Sequence, residues 1–242
     1  MSFVQAASNT NFSTTSNTLT ATLSGGASNP DQIDGIIGWD GSSAISSIMT
    51  DKGDVGTPLM FLLTPQSGFT AQAFVVPNVT AGATALIVVW AAPVDSMVID
   101  MGERSGTATS SPEDVQEGRS TNGFPAGTNS IASSASGTTT NFADQVVAYL
   151  LQDGDASTTT LSAGTSPQAF TKRDEVDLAG PYPLTAILDY QQSAPAAARA
   201  TFTPDATIAT SEFAVIMVAY KPAGAGGTPY NPWPQAAPLL AQ

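Results

Sequence analysis

The 242-residue sequence contains neither cysteine nor histidine. Without thiols there is no disulfide framework and no thiolate nucleophile. Without imidazole, His-based triads and nearly every zinc, copper or haem site are excluded. Charge is scarce too: Asp, Glu, Lys and Arg make up 11% of the chain, against about 25% in an average globular protein. The surface must therefore be largely hydroxyl and amide. What charge there is has mainly one sign, 20 acids against 7 bases for a formal −13, so phosphate backbones and anionic membranes are repelled and no nucleic acid or membrane partner is expected. No apolar run approaches the roughly 20 residues of a membrane span. The opening Met1-Ser-Phe-Val-Gln5 leads straight into Ser, Thr and Asn without a basic or apolar leader. A soluble chain without a secretion signal is the expectation.

Helical periodicity is equally scarce, and Gly, Pro or a Ser/Thr cluster interrupts the chain roughly every 8 to 12 residues. The pattern predicts an all-β fold, with strands over residues 18–24, 33–39, 44–50, 58–63, 71–76, 85–91 and 96–103. A second set covers 129–135, 145–151, 158–162, 169–173, 184–190, 198–203 and 212–221. Leu19, Ala21 and Leu23 alternate with Thr and Ser, as on a strand with one wet face. Leu86–Trp90 and Phe213–Tyr220 are nearly continuous in apolar residues, which predicts central strands covered on both faces. One short helix is predicted to begin at Ser111-Pro112, where proline occupies a first helical position.

The two halves echo each other. Asp31–Gly41 matches Asp144–Gly154 at an offset of 113, each ending in Asp-Gly, and Ser96–Gly106 loosely matches Glu212–Pro222. We read this as duplicated topology: a jelly-roll-like two-sheet β-sandwich over residues 1–222, built from two similar half-sets of strands at about 1–106 and 129–222. Neither half is rich enough in apolar residues to be expected to stand alone, which favours one intertwined unit. Residues 223–242 form a Gly/Pro-rich linker and tail with four prolines between Pro229 and Pro238. This composition favours polyproline II and leaves Tyr230, Trp233, Pro234, Leu239 and Leu240 as candidate docking residues.

Chemistry-bearing residues are few. Asp51-Lys-Gly-Asp54, Asp153-Gly-Asp155 and Asp174-Glu175 offer oxygen ligands of the kind calcium takes, but the twelve-residue calcium loop is missing and turn chemistry accounts for them. No other cofactor is suggested. Asp100 and Glu103 are the closest approach to an acid/base pair. Their spacing places them on opposite faces of a strand, and a salt link to Arg104 or Lys221 is the simpler expectation. No catalytic residue is therefore assigned. Lys172-Arg173-Asp174-Glu175, the one dense charge cluster, reads as a self-paired strand edge that discourages strand addition. Among the aromatic residues, Trp90 reads as core, while Trp39 and Tyr182 lie at loop edges, where aromatic rings more often close the sandwich ends; they are also the candidate glycan contacts.

Thr18-Leu-Thr-Ala-Thr-Leu23, Ile36-Ile-Gly-Trp39, Ala73-Phe-Val-Val76, Val79-Thr-Ala-Gly82, Gly102-Glu-Arg-Ser-Gly106 and Ala214-Val-Ile-Met-Val-Ala-Tyr220 carry strand texture and turn placement over residues 1–222. In these the chain resembles the jelly-roll β-sandwich modules of tailed-phage virion proteins and bacterial surface proteins. The resemblance implies non-enzymatic structural or adhesive work. The lack of cysteine, the absence of a leader and the docking-type tail favour a virion component, assembled in the host cytoplasm and displayed on the particle surface. A capsid decoration or head-fibre protein is the most concrete form, a homo-oligomer (a trimer or a capsid-symmetry multimer) contacting a major capsid or other virion protein. The alternative is a carbohydrate-binding, adhesive module of a tail fibre or bacterial surface, with a host glycan as partner.

Overall fold

The computed structural model describes residues 1–63, 69–121, 131–133, 137–154, 161–164, 167–176, 184–204 and 211–224, and these contain strands and turns without a helix. The first half holds β1 (Ser2–Asn11), β2 (Ser16–Thr22), β3 (Gln32–Asp40), β4 (Ile45–Thr50), β5 (Thr57–Leu63), β6 (Phe69–Val76) and the long β7 (Ala85–Ser105). The second holds β8 (Glu113–Thr121), β9 (Ile131–Ala132), β10 (Gln145–Gly154), β11 (Leu161–Ala163), β12 (Thr171–Val176), β13 (Leu184–Gln191), β14 (Thr201–Pro204) and β15 (Ser211–Tyr220). All pairings are antiparallel.

β7 serves two sheets. Its first part pairs with β2 and β4, its second with β1 and β3, and the register with β3 slips between Asp95 and Val98, across Ser96, whose φ of +52° marks the bend. In the second half the same two roles fall to β14 and β15. The five-stranded orders are then β1-β7-β3-β6-β5 and β8-β15-β10-β13-β12, and the three-stranded orders β2-β7-β4 and β9-β14-β11. Registers agree residue by residue. Ile36 lies opposite Asp100 and Ala73, and Tyr149, 113 residues on, lies opposite Ile216 and Ile187, which follow Asp100 and Ala73 by 116 and 114.

The period-two pleat explains the layering. On β3, Ile33, Ile37 and Trp39 face the small sheet of their own half and join Leu19, Leu86, Val88 and Trp90 in one core. Ile36, on the opposite face, joins Ala73, Val98, Val147, Ile187, Ile216 and Val218 in a second core between the two large sheets. The outward residues of the second half, including Leu150, Leu188, Phe202 and Met217, form a third. The two large sheets thus meet face to face, each backed by a three-stranded sheet. Contacts between the halves exchange under the duplication, β1 with β12 matching β8 with β5, so the arrangement is approximately two-fold. One close approach is at Gly38: a Cβ there would stand 2.2 Å from Leu151 Cδ1, and Leu151 is the residue 113 positions on.

Three expectations need correction. The segment after Ser111-Pro112 is not a helix but β8, because Glu113–Thr121 hydrogen-bonds along β15 and Val115 packs on the third core, so tertiary pairing overrides the local start signal. β1 was not anticipated, since its Ser, Asn and Gln hide the strand period. Leu86–Trp90 is covered on one face only: Leu86, Val88 and Trp90 are buried while Ile87 and Val89 sit half-buried on the outer face of the small sheet. Phe213–Tyr220 is buried on both faces, as predicted.

Candidate functional site

Where the large sheets meet, the apolar contact is interrupted by polar side chains from both halves. Arg104 of β7, fully buried, donates from Nε to Asp34 Oδ2 at 2.9 Å and from Nη1 to Asp189 Oδ2 at 2.7 Å. Tyr149 Oη donates to Asp34 Oδ1 at 2.5 Å and is met by Tyr220 Oη at 3.0 Å, while Gln32 Nε2 donates to Asp34 Oδ2 at 2.9 Å. Arg173 Nε takes the other Asp189 oxygen at 2.7 Å. Phe3 of β1 lies between the two guanidinium groups, 5.6 Å from Arg104 and 5.2 Å from Arg173. Two carboxylates and two guanidinium groups make the set formally neutral.

Burial works against the charge on Arg104, and Asp34 beside it, with Asp189, more than reverses that and holds its pKa above the ordinary arginine value. The Tyr149 and Tyr220 hydroxyls are pushed well above the usual phenol range, first by burial and then by Asp34, so both are hydrogen-bond donors and not acids. This is a keyed junction. Arg104 and Tyr220 occupy equivalent positions in the two halves, 116 apart, so the set straddles the approximate two-fold. The counterparts of Asp34 and Asp189 are Val147 and Val75, so the two halves complement each other and are not interchangeable.

Among the described residues five further carboxyls, Asp31, Asp100, Glu103, Asp114 and Asp144, are buried without an ion pair to a cation. Asp100 is fully buried, and although Thr185 and Asp174 lie alongside, neither of its oxygens accepts a hydrogen bond of ordinary geometry. Burial, then the charge of Asp174, raises its pKa well above the carboxylate range. Asp31 is raised to about 6 by burial and by Glu103. Asp144, its equivalent 113 residues on, is raised to about 7 by burial and by Asp114. Each half thus carries a close acid pair at the same end of its large sheet.

The remaining candidates fall as follows. Asp100 and Glu103 lie on opposite faces, and neither forms the expected salt link to Arg104 or Lys221. Glu103 instead accepts from Gln5 Nε2 at 2.5 Å and from the Ser28 amide at 2.9 Å. Asp51 accepts from the Thr84 and Ala85 amides and Asp54 from Thr50 and Thr80, which pins one turn to the next. Burial opposes ionisation at both, yet the hydrogen bonds prevail and hold both pKa values below the ordinary one. Among the described residues no group of three acids is placed to hold a metal ion. β12 is a sheet edge, as its charges suggest. Lys172 pairs there with Glu175, and Arg173, unexpectedly, turns inward to the junction. Trp39 is 3% exposed and packs edge-on against Trp90 with centroids 6.0 Å apart, so it closes the sandwich end and offers no open ring face to a sugar. Tyr182, Tyr230, Trp233, Pro234, Leu239, Leu240 and Asp155 lie outside the described residues, as does the Asp153 side chain.

Among the described residues, two surface clefts bear on these side chains. One, of about 450 Å³, lies against the junction and is lined by Phe3, Gln145, Thr171, Arg173, Asp189 and Tyr190. The other, of about 460 Å³, opens beside β4 and β5 over Trp39, between Ala44, Ile45, Pro58, Thr70 and Gln72, and carries no charged residue. Comparison with protein-family models, with curated proteins and with solved structures found no match.

Proposed function

We propose that the protein is a non-enzymatic structural component of a phage virion, a capsid decoration or head-fibre protein that multimerises and contacts a major capsid protein. The observation that carries the reading is the duplicated strand order. In each half β1-β7-β3-β6, or its counterpart, faces the small sheet β2-β7-β4, or its counterpart, an order of neighbours similar to that of a jelly roll, with β5 added beside β6 instead of beside β4. Two such units meeting over an apolar centre make a stiff block. The carboxyls with raised pKa values fit the same reading, because Asp31, Asp100 and Asp144 are buried and line neither of these clefts. The sparse, net-negative charge of −13 keeps free copies apart until a matching surface is offered.

The test is gold labelling, with an antibody to residues 1–222, of particles and cells from the source culture. The reading predicts label distributed over capsids. Label confined to cell envelopes would overturn it, and label at a tail tip would replace decoration by adhesion.

A further inference from the structure

We infer that the uncharged cleft over Trp39 receives the Tyr230–Pro234 segment of a second copy of this chain. This deepens the multimeric part of the proposed function by giving it a contact, and it is decided in solution whether or not the protein is found on particles.

The argument begins with chemistry. Residues 225–242 contain no charged residue, although the chain as a whole has 27 (20 acids and 7 bases). The cleft is the matching surface: it lies over the buried edge of Trp39, Ala44, Ile45 and Pro58 give it apolar walls, and Ser42, Ser43, Thr70 and Gln72 add neutral polar groups. A neutral segment buried against a neutral wall leaves no ion without a partner. Pro229-Tyr-Asn-Pro-Trp-Pro234 favours an extended polyproline conformation, which loses little entropy on docking and suits apolar grooves lined by aromatic and proline residues. A cleft of about 460 Å³ has room for one large aromatic side chain with its flanking prolines.

Reach decides between the same copy and another. The chain leaves the sandwich where the Ala223 amide donates to Gly106 O at 2.8 Å. That is two residues past Arg104, which pairs with Gln32 at the start of β3. The cleft lies at the other end of β3, by Trp39, about 23 Å away along the strand at ~3.3 Å per residue. It is also on the half opposite to β15. Tyr230 is six residues beyond Gly224 and spans at most about 20 Å. Trp233, nine residues beyond, spans about 30 Å only when taut. Seating Trp233 in its own cleft would hold the Gly-rich linker nearly taut over that distance and across to the other half, whereas a neighbour's cleft is open to it without that cost. Such a contact is head to tail and propagates or closes into a ring.

Full-length chains test this by complementation. Ala44 is exposed, so Ala44→Glu places a carboxylate in the cleft without disturbing a core, and Trp233→Ala removes the anchor. Sedimentation velocity of the unaltered chain should show concentration-dependent oligomers. Each variant alone, with unchanged circular dichroism, should self-associate more than tenfold more weakly, while an equimolar mixture should give dimers through the one intact cleft and the one intact tail. A monomeric unaltered chain, variants that assemble as it does, or loss with Trp233→Ala but not with Ala44→Glu would each overturn the inference.

Discussion

Arg104→Ala is expected to destabilise the protein by about 3–5 kcal/mol, the usual result of removing one partner from a buried ion pair. The substitution leaves Asp34 and Asp189, 0% and 2% exposed, as buried carboxylates, with only Arg173 reaching the second of them. It also removes the guanidinium above Phe3. Chemical denaturation should show a lower midpoint. Asp34→Asn placed on top of Arg104→Ala should recover part of the loss, because it removes the stranded charge while keeping hydrogen-bonding groups for Tyr149 and Gln32. An Arg104→Ala chain as stable as the original would show that the junction contributes nothing net.

The second large effect is on pH dependence. Asp31 and Asp144 have folded pKa values raised to about 6 and about 7 from 3.8. Between 3.8 and those values the folded state binds more protons than the unfolded one, so stability falls as pH rises through this window. Asp100 acts in the same sense. Asp51 and Asp54, with lowered pKa values, act oppositely, and their contribution is lost only as pH falls below the ordinary carboxylate range. The fold should thus be most stable near pH 4–5. At ~1.4 kcal/mol per pH unit for each titrating group, Asp31 and Asp144 alone should make it about 4 kcal/mol less stable at pH 8 than at pH 5, and Tm should drop by roughly 10–15 °C. Asp31→Asn with Asp144→Asn should flatten the profile and raise Tm at pH 8. A Tm that rises steadily from pH 5 to pH 8 would contradict the placement of both acid pairs.

Much of this fold is legible in the sequence because a pleated strand with one or two dry faces leaves a period that composition cannot hide. Leu19, Ala21 and Leu23 all point inward, and the Asp31 and Asp144 segments fall on β3 and β10, which hold the same place in the two halves. β1 and β8 escaped because edge strands rich in Ser, Asn, Gln and Glu carry little period, and their pairing is set by β7 and β15. The junction was missed for another reason. Asp34 between Ile33 and Ile36 and Asp189 between Leu188 and Tyr190 are each a charge set against apolar neighbours, and that is a signal of a buried partner, whereas Arg104, between Glu103 and Ser105, carries no such signal. Which charge meets which depends on how the two sheets face each other, at sequence separations of 70 and 85 residues, and no local pattern encodes that. Trp39 was legible only as two alternatives, because a tryptophan before an Asp-Gly turn looks the same whether it closes a sandwich or faces solvent; it closes the sandwich end.

The reading of this chain as a stiff building block rests on its two halves being a single unit keyed at Arg104. Native-state hydrogen exchange across a denaturant series tests that most directly. The amides of β3, β7, β10 and β15, which hold the central core, should merge into one opening with the free energy of global unfolding. If β10 and β15 open together well below β3 and β7, the halves are separate bodies in contact and the account fails.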